Sequence, residues 1–274
     1  MNGASCFRIT MAPTESSSSP TPAHPRSLLE RHRWLVFVLP MAVYTLIGSV
    51  EPSPTASGGQ VPALAIPYSA YPLIYTAKIA LTLAAMILVL PGYRQFRRPP
   101  GLLALLVGAA GILVWVGLWQ LSKWLGLTQL LDHLPGYGPR PAFNPLEQLA
   151  ADPEHRVPAI WAWTFLAIRF FGLVVVVPVM EEFFLRGFLL RLVVDQEWWK
   201  VPFGNVNGMA VAVSIVLPML WHQPGEFLAA AAWFGMVTWL MVRTRNPWDC
   251  VLAHATTNLL LGLYVVACHQ WALW

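Results

Sequence analysis

Three charged residues interrupt an apolar run in the second half of the chain, VVVVPVMEEFFLRGFLL at residues 174–190. They are Glu181, Glu182 and Arg186. A charged side chain at the centre of a membrane helix costs about 3 kcal/mol on insertion scales, so each needs a partner or a function. Glu182 precedes Arg186 by four residues, the favourable order for a helical ion pair. Glu181 lies about 140° around the helix from Arg186, so this pair leaves it unexplained.

Further polar side chains lie within or beside apolar segments. His222 ends an apolar run just before Pro224, and a histidine at a helix end that caps carbonyl groups is its structural interpretation. His254 and Asn258 are four residues apart and share one helix face, a spacing also typical of hydrogen bonds between membrane helices. Arg169 is another ionisable residue in an apolar segment, and we assign it no role.

Taken together, Glu181, His222, His254 and Asn258 have the chemistry that peptide-bond hydrolysis requires. An unpaired carboxylate supplies a base for water, while histidine and asparagine supply hydrogen-bond donors for a developing oxyanion. The HExxH and HxxEH motifs of zinc proteases and the GxSxG motif of serine hydrolases are absent from the sequence. The residues therefore favour water activated by side chains, provided that their helices converge.

Composition indicates that these residues lie in a membrane protein. Hydrophobic residues form 57% of the chain and charged residues only 11%, whereas a soluble domain has about 25% charged residues. The 14 tryptophans suit a protein with many membrane–water boundaries. The net charge of +4 comes from basic residues between apolar runs, and they form no patch that would predict a nucleic-acid partner.

Apolar segments of the length that crosses a bilayer predict an all-α transmembrane bundle of about seven spans, with six to eight as the range. We place the spans at 34–50, 73–91, 101–121, 159–190, 207–221, 227–242 and 248–268. A secretory signal peptide is the alternative for the first run, and the fourth is too long for one simple span. Lys78, inside the second span, either snorkels or faces the bundle.

The chain divides into four predicted regions. They are a disordered tail (1–33), accessory transmembrane helices (34–121), a proline-rich loop (122–158) and a helical core with the polar cluster (159–274). Loop 92–100 carries three arginines and loop 51–72 carries none, so the positive-inside rule predicts a cytoplasmic N-terminus. This topology places His222 and His254 at opposite ends of their spans. A shared site requires that span 207–221 ends deep in the bundle, or that the boundaries shift.

The ordered motifs EExxxR at 181–186, His222 and HxxxN at 254–258 resemble those of the CAAX prenyl protease and bacteriocin-processing (CPBP, or Abi) family of intramembrane proteases. The resemblance covers about 159–274. The family's second motif usually reads FxxxH, and Pro218 stands where the phenylalanine is expected. The aromatic partner of His222 is therefore either missing or supplied from elsewhere in the chain. The stretch WHQPGEFLAAA is similar to a bacterial subgroup, the CAAX protease-related proteins found with exosortase systems.

The resemblance implies roles for the motif residues. Glu181 would be the general base that activates water, with His222 assisting. His254 and Asn258 would stabilise the oxyanion, and the ion pair of Glu182 and Arg186 would hold the helix in place.

The resemblance also implies an endopeptidase of the bacterial inner membrane that cleaves a membrane-associated or lipidated protein. Members are often called metalloproteases, and Glu181, His222 and His254 have acceptable ligand types for zinc. A glutamate–histidine mechanism fits equally well, and we expect no cofactor. Two other functions stay open. One is a non-proteolytic scaffold or immunity factor of the same fold. The other is a proton-coupled transporter, although no internal repeat is visible.

Overall fold

The computed structural model describes residues 28–52, 66–96, 98–131, 143–147 and 157–274, and all regular structure within these residues is helical. Seven apolar helices form the bundle. They are α1 (Leu35–Gly48), α2 (Tyr71–Tyr93), α3 (Leu102–Trp124), α4 (Ala159–Val194), α5 (Gly208–Met219), α6 (Phe227–Thr244) and α7 (Pro247–Cys268). Helices α2, α3, α4, α6 and α7 are long and apolar enough to cross a membrane, while α1 and α5 are shorter. The predicted all-α transmembrane bundle is confirmed.

Element boundaries differ from the predicted ones near the N-terminus and after α3. A short helix at Leu28–Arg31 lies within the predicted tail, whose residues 1–27 are outside the described part of the chain. Helix α3 runs to Trp124, and a second short helix, Leu127–Leu131, follows inside the predicted loop. Gly126 permits the turn between them because it adopts a φ of 69°, which glycine tolerates best.

Helix α4 carries the two glutamates and is the longest element of the fold. Its 36 residues form one continuous helix, where the sequence predicts a segment too long for a single simple span. At 1.5 Å per residue it is about 54 Å long, well beyond the ~30 Å hydrocarbon core. Two π-helical stretches, Gly172–Val176 and Phe183–Leu189, flank the α-helical turn Val177–Glu182. Stretches of this kind are rare and frequently occur at functional sites.

A glycine on α3 and a threonine on α7 let these two helices approach closely and fix the rotation of α7 about its axis. A Cβ on Gly108 would lie 2.6 Å from the carbonyl oxygen of Ala253, so only glycine fits at this contact. The Thr257 hydroxyl donates to the Gly108 carbonyl (2.8 Å) and accepts from Trp233 Nε1–H (3.0 Å). Close backbone contact and side-chain hydrogen bonds of this kind hold membrane helices together. They direct one face of α7, with His254, toward α4 and α6.

Helix α5 is short, and the chain turns back inside the protein. Its N-terminus is capped by Asn207, whose side chain accepts from the Ala210 N–H at 2.8 Å. The helix ends at Met219 rather than at the predicted 221, and Pro224, Gly225 and Glu226 in the following 3₁₀ turn are buried. His222 therefore sits in a turn packed against the bundle. Of the two ways in which His222 and His254 could share a site, the structure has the first, because the helix of span 207–221 ends early, at Met219.

Candidate active site

A cavity of about 420 Å³ lies within the bundle, against α4, α6 and α7. The four residues predicted to be catalytic all line it: Glu181, His222, His254 and Asn258. The structure thus brings together side chains from α4, α7 and the turn after α5. Helices α1, α2 and α3 also contribute to the wall, through Tyr44, Tyr75, Lys78 and Trp115 among others.

The two adjacent glutamates have different surroundings. Glu182 is 1% exposed, whereas Glu181 is partly exposed and lines the cavity. Within the described residues Glu181 makes no hydrogen bond and no ion pair, so both of its carboxylate oxygens are available. This agrees with the expectation that Arg186 pairs with Glu182 and that Glu181 has no part in this ion pair.

Glu182 links two helices through a buried network. It forms the predicted ion pair with Arg186 Nη1, and its other oxygen accepts from His254 Nδ1 at 3.0 Å. Arg186 is also 1% exposed and its Nη2 points to the Phe234 carbonyl at 3.5 Å. Sequence reasoning assigns Glu182 only to its own helix. The contact with His254 spans 72 positions and leaves no spacing signal that could have predicted it.

His254 is held on two sides. Glu182 binds Nδ1, and the Trp233 ring packs edge-on against the imidazole with centroids 4.7 Å apart. A carboxylate on Nδ1 fixes both the ring orientation and the tautomer. The remaining nitrogen, Nε2, is then the one left for chemistry in the cavity.

Asn258 is tied to the first π-helical stretch of α4. Its Nδ2 donates to the carbonyl oxygen of Leu173 at 2.8 Å. In a π turn the backbone bonds run from i to i+5, so the register of carbonyl groups differs from that of an α-helix. The bond uses one of the two amide hydrogens, and the other remains for a ligand.

His222 combines the structural and the functional interpretation. Its Nδ1 lies 2.8 Å from the Pro218 carbonyl oxygen, a contact that requires a hydrogen on Nδ1 because a carbonyl only accepts. When the ring is neutral, Nε2 is then an acceptor. Trp115 from α3 and Phe234 from α6 pack against the ring at 5.1 and 5.6 Å. These side chains supply the aromatic neighbours that Pro218 cannot.

The suggested zinc ligands do not form a metal site as they are arranged. Across the described ranges of the chain, no three His, Cys, Asp or Glu side chains are grouped so that they could hold a metal ion. A zinc site needs at least three protein ligands at about 2.0–2.3 Å. The mechanism below therefore has no step through a metal, and metal independence stays a prediction.

Residues 162–260 match the family model described as type II CAAX prenyl endopeptidase, Rce1-like. The matched segment, about a third of the chain, is similar to that family. The Rce1-like segment begins on α4 and ends on α7, and it includes all four cavity residues together with Glu182 and Arg186. The match confirms the predicted CPBP-family resemblance and supports a membrane protease of the CAAX type. It does not reach the exosortase-associated subgroup, which stays a prediction. No curated protein and no solved structure matches the chain closely enough to add to it.

Proposed function

We propose that the protein is an intramembrane endopeptidase in which Glu181 activates water against a peptide bond of a membrane-associated substrate. The observation that carries the proposal is the contrast between neighbours in the Rce1-like segment. Glu182 is buried and bonded to two cationic or polar partners, whereas Glu181 lines the cavity without a hydrogen bond or ion pair to any described residue. A carboxylate kept unpaired at such a place has the position that a general base needs.

In the proposed reaction, Glu181 takes a proton from water as the water oxygen bonds to the carbonyl carbon. His222 orients the water because Nε2 accepts a hydrogen bond when Nδ1–H is donated to the Pro218 carbonyl. His254, oriented by the Glu182 carboxylate on Nδ1, and the second amide hydrogen of Asn258 are the groups that we assign to the oxyanion. The C–N bond then breaks, and Glu181 returns its proton to the leaving amine.

The remaining assignments follow the family and the charge pattern. We place the protein in a bacterial inner membrane with its N-terminus in the cytoplasm, and we assign it a membrane-associated or lipidated protein as substrate. No cofactor takes part in the proposed reaction.

The test is the turnover of a peptide library by the purified full chain and by Glu181→Gln. This change keeps the volume of the side chain but removes the base. Activity is expected to fall by about two to four orders of magnitude, and thermal stability to hold or rise because an unpaired charge inside the bundle becomes neutral. Glu197→Gln, at an exposed carboxylate, is the control and should change neither.

Three outcomes would change the proposal. Turnover that survives in Glu181→Gln would overturn the mechanism. A variant that loses both activity and bound zinc, measured by elemental analysis, would keep the protease and overturn its metal independence. A wild-type protein that cleaves no library member would favour the non-proteolytic alternative.

A further inference from the structure

A second charge without a counterion lines the same cavity. Arg169 is on α4, its side chain is 4% exposed, and Nη1 donates to the Tyr71 hydroxyl at 2.6 Å. Its Nε is buried without a hydrogen-bond partner among the described residues, as is Nε of Arg186, so the two arginines differ in their counterions and not at Nε. Among the described residues no carboxylate lies within ion-pair distance of the guanidinium. Burial of a cation in this way is unfavourable, so the position calls for a ligand.

Aromatic rings hold the guanidinium in place. Its central carbon lies 5.4 Å from the ring centre of Tyr71, 5.3 Å from that of Tyr75 and 5.0 Å from that of Trp274. Gly172, in the first π-helical stretch, allows this packing, because a Cβ there would lie 2.5 Å from the Tyr75 hydroxyl. Cation–π contacts orient a guanidinium but leave its N–H donors unsatisfied. Arg169 is therefore held in a fixed orientation and still has N–H groups that can donate to a ligand.

Lys78 provides the comparison that makes Arg169 unusual. It is also buried, lines the same cavity and packs on aromatic rings, those of Tyr44 and Tyr75. Unlike Arg169, it has a counterion, because Nζ lies 2.7 Å from a carboxylate oxygen of Glu51. Among the described residues, one cation of the cavity thus has an internal anion and the other has none.

After the ion pairs are assigned, the cavity keeps one unpaired glutamate and one unpaired arginine on the same helix. We propose that Arg169, together with the Tyr71 hydroxyl, binds a carboxylate of the peptide substrate, while Glu181 acts on a nearby amide. This inference rests on the proposed function and names a specificity determinant for it. The carboxylate is either the C-terminal α-carboxylate or an acidic side chain.

Helix geometry limits how far this carboxylate is from the scissile bond. Arg169 and Glu181 are 12 residues apart on α4, which corresponds to about 18 Å along a helix axis. An extended peptide covers about 3.3–3.6 Å per residue, so about five residues span that distance. Both side chains reach into the cavity and shorten the gap. The carboxylate is therefore expected within about five residues of the cleaved bond.

A peptide carboxylate, rather than a lipid phosphate, is the anion that we assign to this position. Arg169 is almost fully enclosed and lines the same cavity as the proposed catalytic residues, so the group that it binds lies beside the peptide bond to be cleaved. The planar guanidinium offers parallel N–H donors that match either a carboxylate or a phosphate, so the two sources are distinguished by experiment.

The experiment compares acid and amide forms of one peptide. A peptide cleaved by the full chain in phosphatidylcholine nanodiscs is prepared with a free C-terminus, with a C-terminal amide, and with each acidic side chain converted to its amide. The wild type is expected to favour the form with the recognised carboxylate by about 10- to 100-fold in KM, with kcat nearly unchanged. Arg169→Gln should lose this preference, Arg169→Lys should keep part of it, and Lys123→Gln, at an exposed cation on the Trp119 ring, should keep all of it.

A binding measurement separates this inference from the proposed function. Radiolabelled acid and amide peptides are equilibrated with Glu181→Gln and with Glu181→Gln/Arg169→Gln. Tighter binding of the acid form by the single variant only would support the carboxylate site, whatever the fate of the hydrolysis mechanism. Hydrolysis with equal KM for acid and amide forms would overturn the inference and leave the protease intact. An acid preference that disappears when phosphatidylglycerol is added, with binding of that lipid dependent on Arg169, would overturn it in favour of a lipid headgroup.

Discussion

The buried charges around Glu182 and around Arg169 differ in whether other side chains neutralise them. Around Glu182 the network is closed at the carboxylate, because Arg186 and His254 occupy both of its oxygens and all three side chains are buried, although Nε of Arg186 has no hydrogen-bond partner among the described residues. Around Arg169 the network is open, because among the described residues the buried guanidinium has one hydrogen-bond partner, the Tyr71 hydroxyl, and no carboxylate counterion. The closed network joins α4 to α7, and so it fixes the position of the imidazole to which the proposed mechanism assigns the oxyanion.

The comparison teaches where to look for function among buried charges. A buried ion pair is weak support for a functional role, since its members neutralise each other and hold helices together. Glu182, Arg186 and the Lys78–Glu51 pair fall in this class. Glu181 and Arg169 do not, because no described residue neutralises either of them. Substitutions that break each network should reveal the difference.

The largest effect is expected from Arg186→Ala, which opens the closed network. It leaves Glu182 buried with one partner fewer, and removal of one partner of a buried pair costs about 3–5 kcal/mol. The midpoint of thermal unfolding in detergent, with the folded yield, measures this loss. Arg243→Ala, at an exposed arginine of α6, is the matched control and should change little. Normal folding with lost activity would instead give Arg186 a direct role in catalysis or substrate binding.

The next effect concerns the two proposed oxyanion donors, His254 in the closed network and Asn258 on the Leu173 carbonyl. His254→Ala and Asn258→Ala should each lower kcat by about 100-fold or more, the usual size for a lost oxyanion donor. KM should change less than kcat, because the interaction forms mainly in the transition state. Steady-state kinetics on a cleaved library peptide measure both constants. A change confined to KM would make these residues substrate-binding groups and not oxyanion donors.

Local sequence patterns could predict the helices and those polar contacts that form within a single helix. Hydropathy locates the helices because the bilayer fixes their length, and i,i+4 spacing identifies the Glu182–Arg186 pair within one helix. The His254–Asn258 spacing likewise places two polar groups on one face of α7. These features depend only on neighbours along the chain.

The remaining features depend on contacts between helices, which sequence spacing does not encode. The bond between Glu182 and His254 and the pairing of Lys78 with Glu51 both cross from one helix to another element. The π-helical stretches of α4 have no sequence signature, yet Leu173 in one of them receives the Asn258 amide. Arg169 was recognisable as a buried charge, but its missing counterion is visible only in three dimensions.

A smaller effect is expected from Lys78→Gln, which opens the other ion pair. Glu51 loses its counterion but keeps contact with water, since its side chain is 14% exposed, so the cost should be about 1–2 kcal/mol. Glu51→Gln and the double variant complete a double-mutant cycle measured by thermal unfolding. Coupling of about 1 kcal/mol is expected. The acid-over-amide preference should persist in Lys78→Gln, and its loss would move the carboxylate site from Arg169 to Lys78.

The smallest change in stability is expected from Arg169→Gln, and this result sharpens the contrast with Arg186. The substitution removes a buried charge that has no counterion, which is favourable, and it also removes cation–π contacts with three rings, which is unfavourable. Because these terms oppose each other, the free energy of unfolding should stay within about 1 kcal/mol of the wild type. Arg186→Gln is the matched variant, with the same chemical change on the same helix, and it should destabilise strongly. If both variants unfold equally early, Arg169 is a structural cation, and the distinction between the closed and the open network does not hold.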